Sequence, residues 1–110
     1  MKHTAWRIQG KKVLVVGLGK SGIAAAQALV KRGAMVSVQD AKSADEIEPQ
    51  LITYLQNESI TCYFATVPKE SSSFELIVLS PGVSLDLPFV REAAAKGVWV
   101  TGELELAYQL

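Results

Sequence analysis

The chain has 110 residues, 49% of them hydrophobic, and its eleven basic side chains balance eleven acidic ones for a formal net charge of zero. That length suits one domain with a real core, and the charge balance excludes the general basic face that nucleic acid requires. A single cysteine, Cys62, and a single histidine, His3, exclude an internal disulfide, a Cys-x-x-Cys site and a histidine-based metal centre or triad.

The opening "MKHTAWRIQG" lacks the apolar stretch of a signal peptide. No apolar run approaches the ~18–20 residues that span a bilayer. A cytoplasmic protein with neither a membrane nor a nucleic-acid partner is the expectation. "KVLVVG" (12–17) is continuously apolar and β-branched, the pattern of a strand buried on both faces of a parallel sheet. Ser21 to Arg32 follows as a helix, with Ile23, Ala26, Leu29 and Val30 at helical spacing. Gly33 is its stop, after cations that suit the negative end of the helix dipole. "AMVSVQD" (34–40) reads as the second strand.

"SADE" (43–46) is a capping box, with Ser43 as N-cap and Glu46 three residues on. The helix it opens is expected to carry Ile47, Leu51 and Leu55 and to fray near Asn57. "ITCYF" (60–64) is a third strand, "VPKESSS" a polar connector and "FELIVLS" (74–80) a fourth strand. After "PGVSLDLP", "FVREAAAKG" makes a short helix ending at Gly97, and "VWVTG" (98–102) is a fifth strand. "ELELAYQL" begins a further helix, whose interruption at Leu110 reads as a piece of a longer protein. Apolar strands alternating with helices imply an α/β, Rossmann-like doubly wound sheet of five mainly parallel strands, in the order 3-2-1-4-5.

The chemistry concentrates in "GLGKSG" (17–22), which lies between a strand and a helix. An acidic residue, Asp40, ends the next strand near the ~20-residue spacing of the dinucleotide fingerprint. Gly17 permits the sharp turn, Gly19 lets backbone N–H groups approach a diphosphate, and Gly22 lets helix and strand pack closely. The helix N-terminus supplies donors and about half a positive charge. Asp40 either accepts hydrogen bonds from a ribose or base or merely ends a strand. Lys20 and Lys42 either meet phosphate or point to solvent. Ser21 can cap the helix, bond a diphosphate, or do both.

A second candidate, "LSPGVSLDLPF" (79–89), falls at the carboxyl end of the fourth strand, beside the first. That is the topological switch point where open α/β sheets bind ligands. Ser80, Pro81 and Gly82 place a rigid turn and unobstructed backbone there, while Pro88 opens the next helix. Glu103 and Glu105 sit two apart and share no helix face, so first-turn charge accounts for them better than acid–base chemistry. Trp6 and Trp99 read as packing residues. The chain has no G-x-x-x-x-G-K-[ST] loop, so nothing in it grips ATP in the P-loop manner.

Taken together, "VLVVGLGKSGIAAAQAL", "LIVLSPGVSLDLPFV" and "VTGELELAY" resemble the N-terminal domain of the Mur ligases of peptidoglycan synthesis. The likeness is greatest to the members that add D-glutamate, because the loop lacks the extra glycine and methionine of the L-alanine-adding ones. The resemblance covers nearly the whole chain. It implies that residues 1–110 form one UDP-binding N-terminal domain of a three-domain, ATP-dependent ligase. That domain would hold the UDP of UDP-N-acetylmuramoyl-L-alanine while catalysis proceeds elsewhere.

By the same resemblance Gly19, Lys20 and Ser21 face the diphosphate, and Asp40, Ala41 and Lys42 line the uracil end. Gly82 closes the pocket, and Gly17, Gly22, Ser80 and Pro81 complete the two loops. Ala41 departs from the family, which often has a hydroxyl there, so a contact at 41 would come from backbone or apolar packing. ATP, Mg2+ and D-glutamate would bind parts of the parent enzyme outside this chain. No catalytic residue, metal or cofactor is expected within it. Two other readings stand beside this one: an NAD(P)-binding Rossmann domain of an oxidoreductase or regulatory protein, with Asp40 on the adenosine ribose, and a non-binding interaction module.

Overall fold

A computed structural model describes residues 8–84 and 86–102. Five strands, β1 (Lys12–Val16), β2 (Met35–Asp40), β3 (Thr61–Phe64), β4 (Leu76–Leu79) and β5 (Trp99–Gly102), form one sheet ordered β3-β2-β1-β4-β5. Every pairing is parallel. The expected 3-2-1-4-5 order is therefore the observed one. The anticipated helix after residue 102, with Glu103 and Glu105, lies outside the described residues, as do His3 and Trp6.

Burial explains the continuously apolar strands. Alternate residues of β1 enter two separate cores. Val13 and Val15 pack with Val36, Val38, Leu76 and Val78 against Ala25, Ala26 and Leu29 of α1 (Lys20–Lys31) and Leu55 of α2 (Pro49–Asn57). Leu14 and Val16 pack with Ile77 and Leu79 against Phe89, Val90 and Ala93 of α3 (Pro88–Ala95). Thus α1 and α2 cover one face, and α3 covers the other. The segment between β3 and β4 crosses to that second face. Its 3-10 turn, Ser71–Ser73, is fastened to α3 by the buried Ser71 hydroxyl, which donates to the Phe89 carbonyl at 2.7 Å. Trp99 is a packing residue, half-buried against the first core.

Two local expectations need correction. The capping box at Ser43 opens only a 3-10 turn, Ala44–Glu46, in which the Ser43 N–H donates to the Glu46 carboxylate at 3.0 Å. The helix proper starts at Pro49, with Ile47 outside it. The cause is Pro49, whose ring disfavours helical backbone at the preceding residue. Glu48 accordingly adopts ψ 132° and serves as N-cap, and proline sits at the first helical position, where its missing N–H costs nothing. Likewise α1 begins at Lys20 with Gly19 as N-cap, so Ser21 is inside the first turn and is not the cap.

At the amino edge of the sheet the Lys12 N–H donates to the Glu75 carboxylate at 3.0 Å, and Lys11 Nζ lies 3.5 Å from the same side chain. The Lys12 hydrogen bond, with Lys11 beside it, holds the Glu75 carboxyl below the usual range. Burial raises the Cys62 thiol on β3, which keeps it protonated and a poor nucleophile.

Candidate functional site

The carboxyl edge of β1 and β4 carries a cleft of about 380 Å3. Its walls come from Gly17 to Ser21, from Asp40, and from Ser80 to Val83. Of the residues read from the sequence as a diphosphate or UDP site, Gly17, Gly19, Lys20, Ser21, Asp40, Ser80, Pro81 and Gly82 all line it. Gly22 is buried behind the wall, and Ala41 faces a neighbouring cavity. Lys42 is exposed and lines neither space.

The donors follow from helix geometry. The first carbonyl accepted within α1 is that of Gly19, taken by the Ile23 N–H at 3.0 Å. The N–H groups of Gly19, Lys20, Ser21 and Gly22 therefore have no intrahelical acceptor, and no side chain caps them. They carry the positive end of the helix dipole toward the cleft, with the exposed Lys20 at its rim. The Ser21 hydroxyl, freed from capping, lies on the same wall. A Cβ added to Gly19 would meet nothing within 4 Å, so the missing side chain leaves room for a ligand and not for protein.

Gly22 and Gly17 serve the opposite purpose. A Cβ at Gly22 would stand 1.9 Å from the Gly17 carbonyl oxygen and 2.7 Å from the Ser80 hydroxyl, so only glycine lets α1 start this close to the β1 turn. Gly17 itself has φ +94°, in the left-handed region that side chains resist. Ser80 is 7% exposed and its hydroxyl donates to the Gly17 carbonyl at 2.8 Å.

Asp40 is engaged with the protein on both oxygens. Its Oδ2 accepts from the Leu18 N–H at 2.8 Å and its Oδ1 from the Lys42 N–H at 2.9 Å. The Leu18 N–H is thereby engaged within the protein, and the loop after β2 is tied to the glycine loop.

A second, larger cavity of about 920 Å3 lies on the α3 side of the same edge. It runs between residues 65–69 of the β3–β4 connector and Leu87, Pro88, Phe89 and Glu92 of α3 and its approach, with Gln39 and Ala41 at the end of β2. Its lining is mainly apolar. Gln39, only 7% exposed, anchors the connector by donating from Nε2 to the Thr66 carbonyl at 2.9 Å. Ala65 holds φ +56°, a left-handed residue that turns the chain out of β3 over this face. As sequence, "VPKESSS" is a polar connector and gives almost no sign of this cavity. The only trace was Val67-Pro68 within it.

A parallel, doubly wound sheet with a glycine-walled cleft at its switch point defines a Rossmann-like α/β type of domain. Among solved structures the chain resembles dipicolinate synthase A chain from Bacillus subtilis (TM-score 0.63, 18% identity, 83% of this chain and 29% of that one). It also resembles shikimate dehydrogenase from Aquifex aeolicus (TM-score 0.59, 20% identity, 97% of this chain and 48% of that one). These likenesses concern the fold.

Residues 11–102 match the family described as Mur ligase MurD-like, N-terminal domain, and the chain belongs to that family. Relatives named UDP-N-acetylmuramoylalanine–D-glutamate ligase include that of Koribacter versatilis, 46% identical over 105 residues. Those of Caldicellulosiruptor saccharolyticus and Alkaliphilus metalliredigens are 41% identical over 101 residues and 37% identical over 106. These alignments cover 91–94% of this chain and 22–23% of each relative, so the chain spans less than a quarter of their length.

Proposed function

We propose that this chain is the substrate-anchoring domain of a D-glutamate-adding peptidoglycan ligase and that it holds the UDP of UDP-N-acetylmuramoyl-L-alanine. The observation that carries this reading is the row of three N–H groups, Gly19 to Ser21, left without intrahelical acceptors on the wall of a cleft with Lys20 at its rim. A diphosphate supplies the negative charge and the acceptors this wall lacks. The mainly apolar cavity beside it, reached past Ala41, offers a planar base a face to lie on without a hydroxyl at position 41.

The work of the domain is positional. Binding energy gathered at the nucleotide end fixes where the distant carboxylate of the substrate stands. ATP, Mg2+ and D-glutamate would act in parts of the parent enzyme outside these residues, in the cytoplasm, and this chain by itself would not turn substrate over.

Calorimetric titration of the chain with UDP, NADH and NADPH tests the proposal. UDP should bind and the dinucleotides should not. Tight NADH binding without a UDP response would overturn it.

A further inference from the structure

Three residues that the sequence offers as ligand contacts converge instead on one peptide group. The amide joining Gly17 to Leu18 is planar, with its C=O and N–H pointing in opposite directions. Ser80, from the end of β4, donates to its oxygen at 2.8 Å. Asp40, from the end of β2, accepts from its N–H at 2.8 Å. Gly22 closes the third side, since any Cβ there would strike the same carbonyl oxygen at 1.9 Å. The preceding amide is also held, because the Gly17 N–H donates to the Gln39 carbonyl at 2.7 Å.

We propose that Asp40 and Ser80 are positioning residues that act on the ligand through the Gly17–Leu18 peptide plane, pinning it from the two flanking strands and so aiming the N–H groups of Gly19 to Ser21. Rotation of a peptide plane breaks both bonds together, so the two side chains share one task. The plane ends one residue before the first free donor, and a tilt there is carried directly into the anion-binding row. A hydroxyl on a residue only 7% exposed, donated to the Gly17 carbonyl, and a carboxylate that accepts from the main chain on both oxygens are suited to this work. The inference rests on the diphosphate reading above.

The test measures inorganic pyrophosphate and UDP affinities for the wild-type chain, Ser80→Ala, Asp40→Asn and the double variant, each well below its melting midpoint. Each single change should weaken both ligands by the same factor, about tenfold for a charged or buried hydrogen bond. The double variant should lose about as much as one single, not the product of the two, because the plane is released once. Loss confined to UDP, multiplicative losses, or a lowered melting point with both affinities intact would each overturn the proposal. So would tighter pyrophosphate binding by Asp40→Asn, which removal of a negative charge gives if Coulomb attraction alone operates. If one variant does not fold by circular dichroism, the other still decides through its pyrophosphate-to-UDP comparison. Failure of the functional reading appears separately, as a wild-type chain that binds neither ligand.

Discussion

The cleft at Gly19–Ser21 and the larger cavity beside Ala41 share one edge of the sheet, but they are made of different material. Main chain builds the cleft: glycine turns, helix-end N–H groups and a peptide plane held by Ser80 and Asp40. Side chains build the cavity, chiefly Val67, Pro68, Leu87 and Phe89 over the Gln39 amide. Main-chain walls tolerate little, since one methyl group at Gly22 would fall inside the van der Waals radius of a carbonyl. Walls of apolar side chains can be assembled from many residue types, and a change there alters fit before it alters fold.

Three substitutions would break or sharpen this contrast. The largest effect belongs to Gly22→Ala. With no space for its methyl group it should lower unfolding free energy by about 3 kcal/mol, read from urea denaturation with an unchanged slope. A loss within about 0.5 kcal/mol would mean the cleft wall yields as easily as the cavity does. Gly19→Ala comes next and separates binding from stability in the same loop. Its φ of −73° suits alanine and its Cβ meets no protein atom, so stability should stay within about 0.5 kcal/mol. The methyl group stands in the ligand's space, and pyrophosphate affinity by calorimetry should fall about tenfold. Smallest is Val67→Ser in the apolar cavity. Val67 is 45% exposed, so melting should hardly move. UDP affinity should fall about threefold to fivefold through lost apolar contact, and pyrophosphate affinity should not change. Equal loss for both ligands would remove the division of labour between the two spaces.

The same contrast explains what could be read beforehand. A turn with φ +94°, a helix start with room for no side chain and an acidic strand end each demand a particular residue at a fixed spacing. "GLGKSG" and Asp40 therefore announced the cleft, and "SPG" its far wall. The cavity demanded only apolar residues, drawn from β2, the β3–β4 connector and α3, so no spacing marked it. Roles were less legible than places. Asp40 and Ser80 line one cleft, but their hydrogen bonds reach residues 22 and 63 positions away, and no local pattern encodes such a partner. The start of α2 was misplaced for a nearer reason: the capping box at Ser43 is real, but Pro49 outweighs it in deciding where helical backbone begins.

By itself the sequence determined the alternation of strands and helices, the parallel order of the sheet, the glycine loop and membership of the Mur ligase family, because periodicity, turn chemistry and a fixed motif are local properties of the chain. Only the tertiary structure decided that Asp40 and Ser80 meet on one peptide, that Ser21 is free of capping, and that a second cavity opens past Ala41. Each of these depends on which distant residues the crossovers bring to one edge of the sheet, and contact between remote segments is fixed only when the chain has packed.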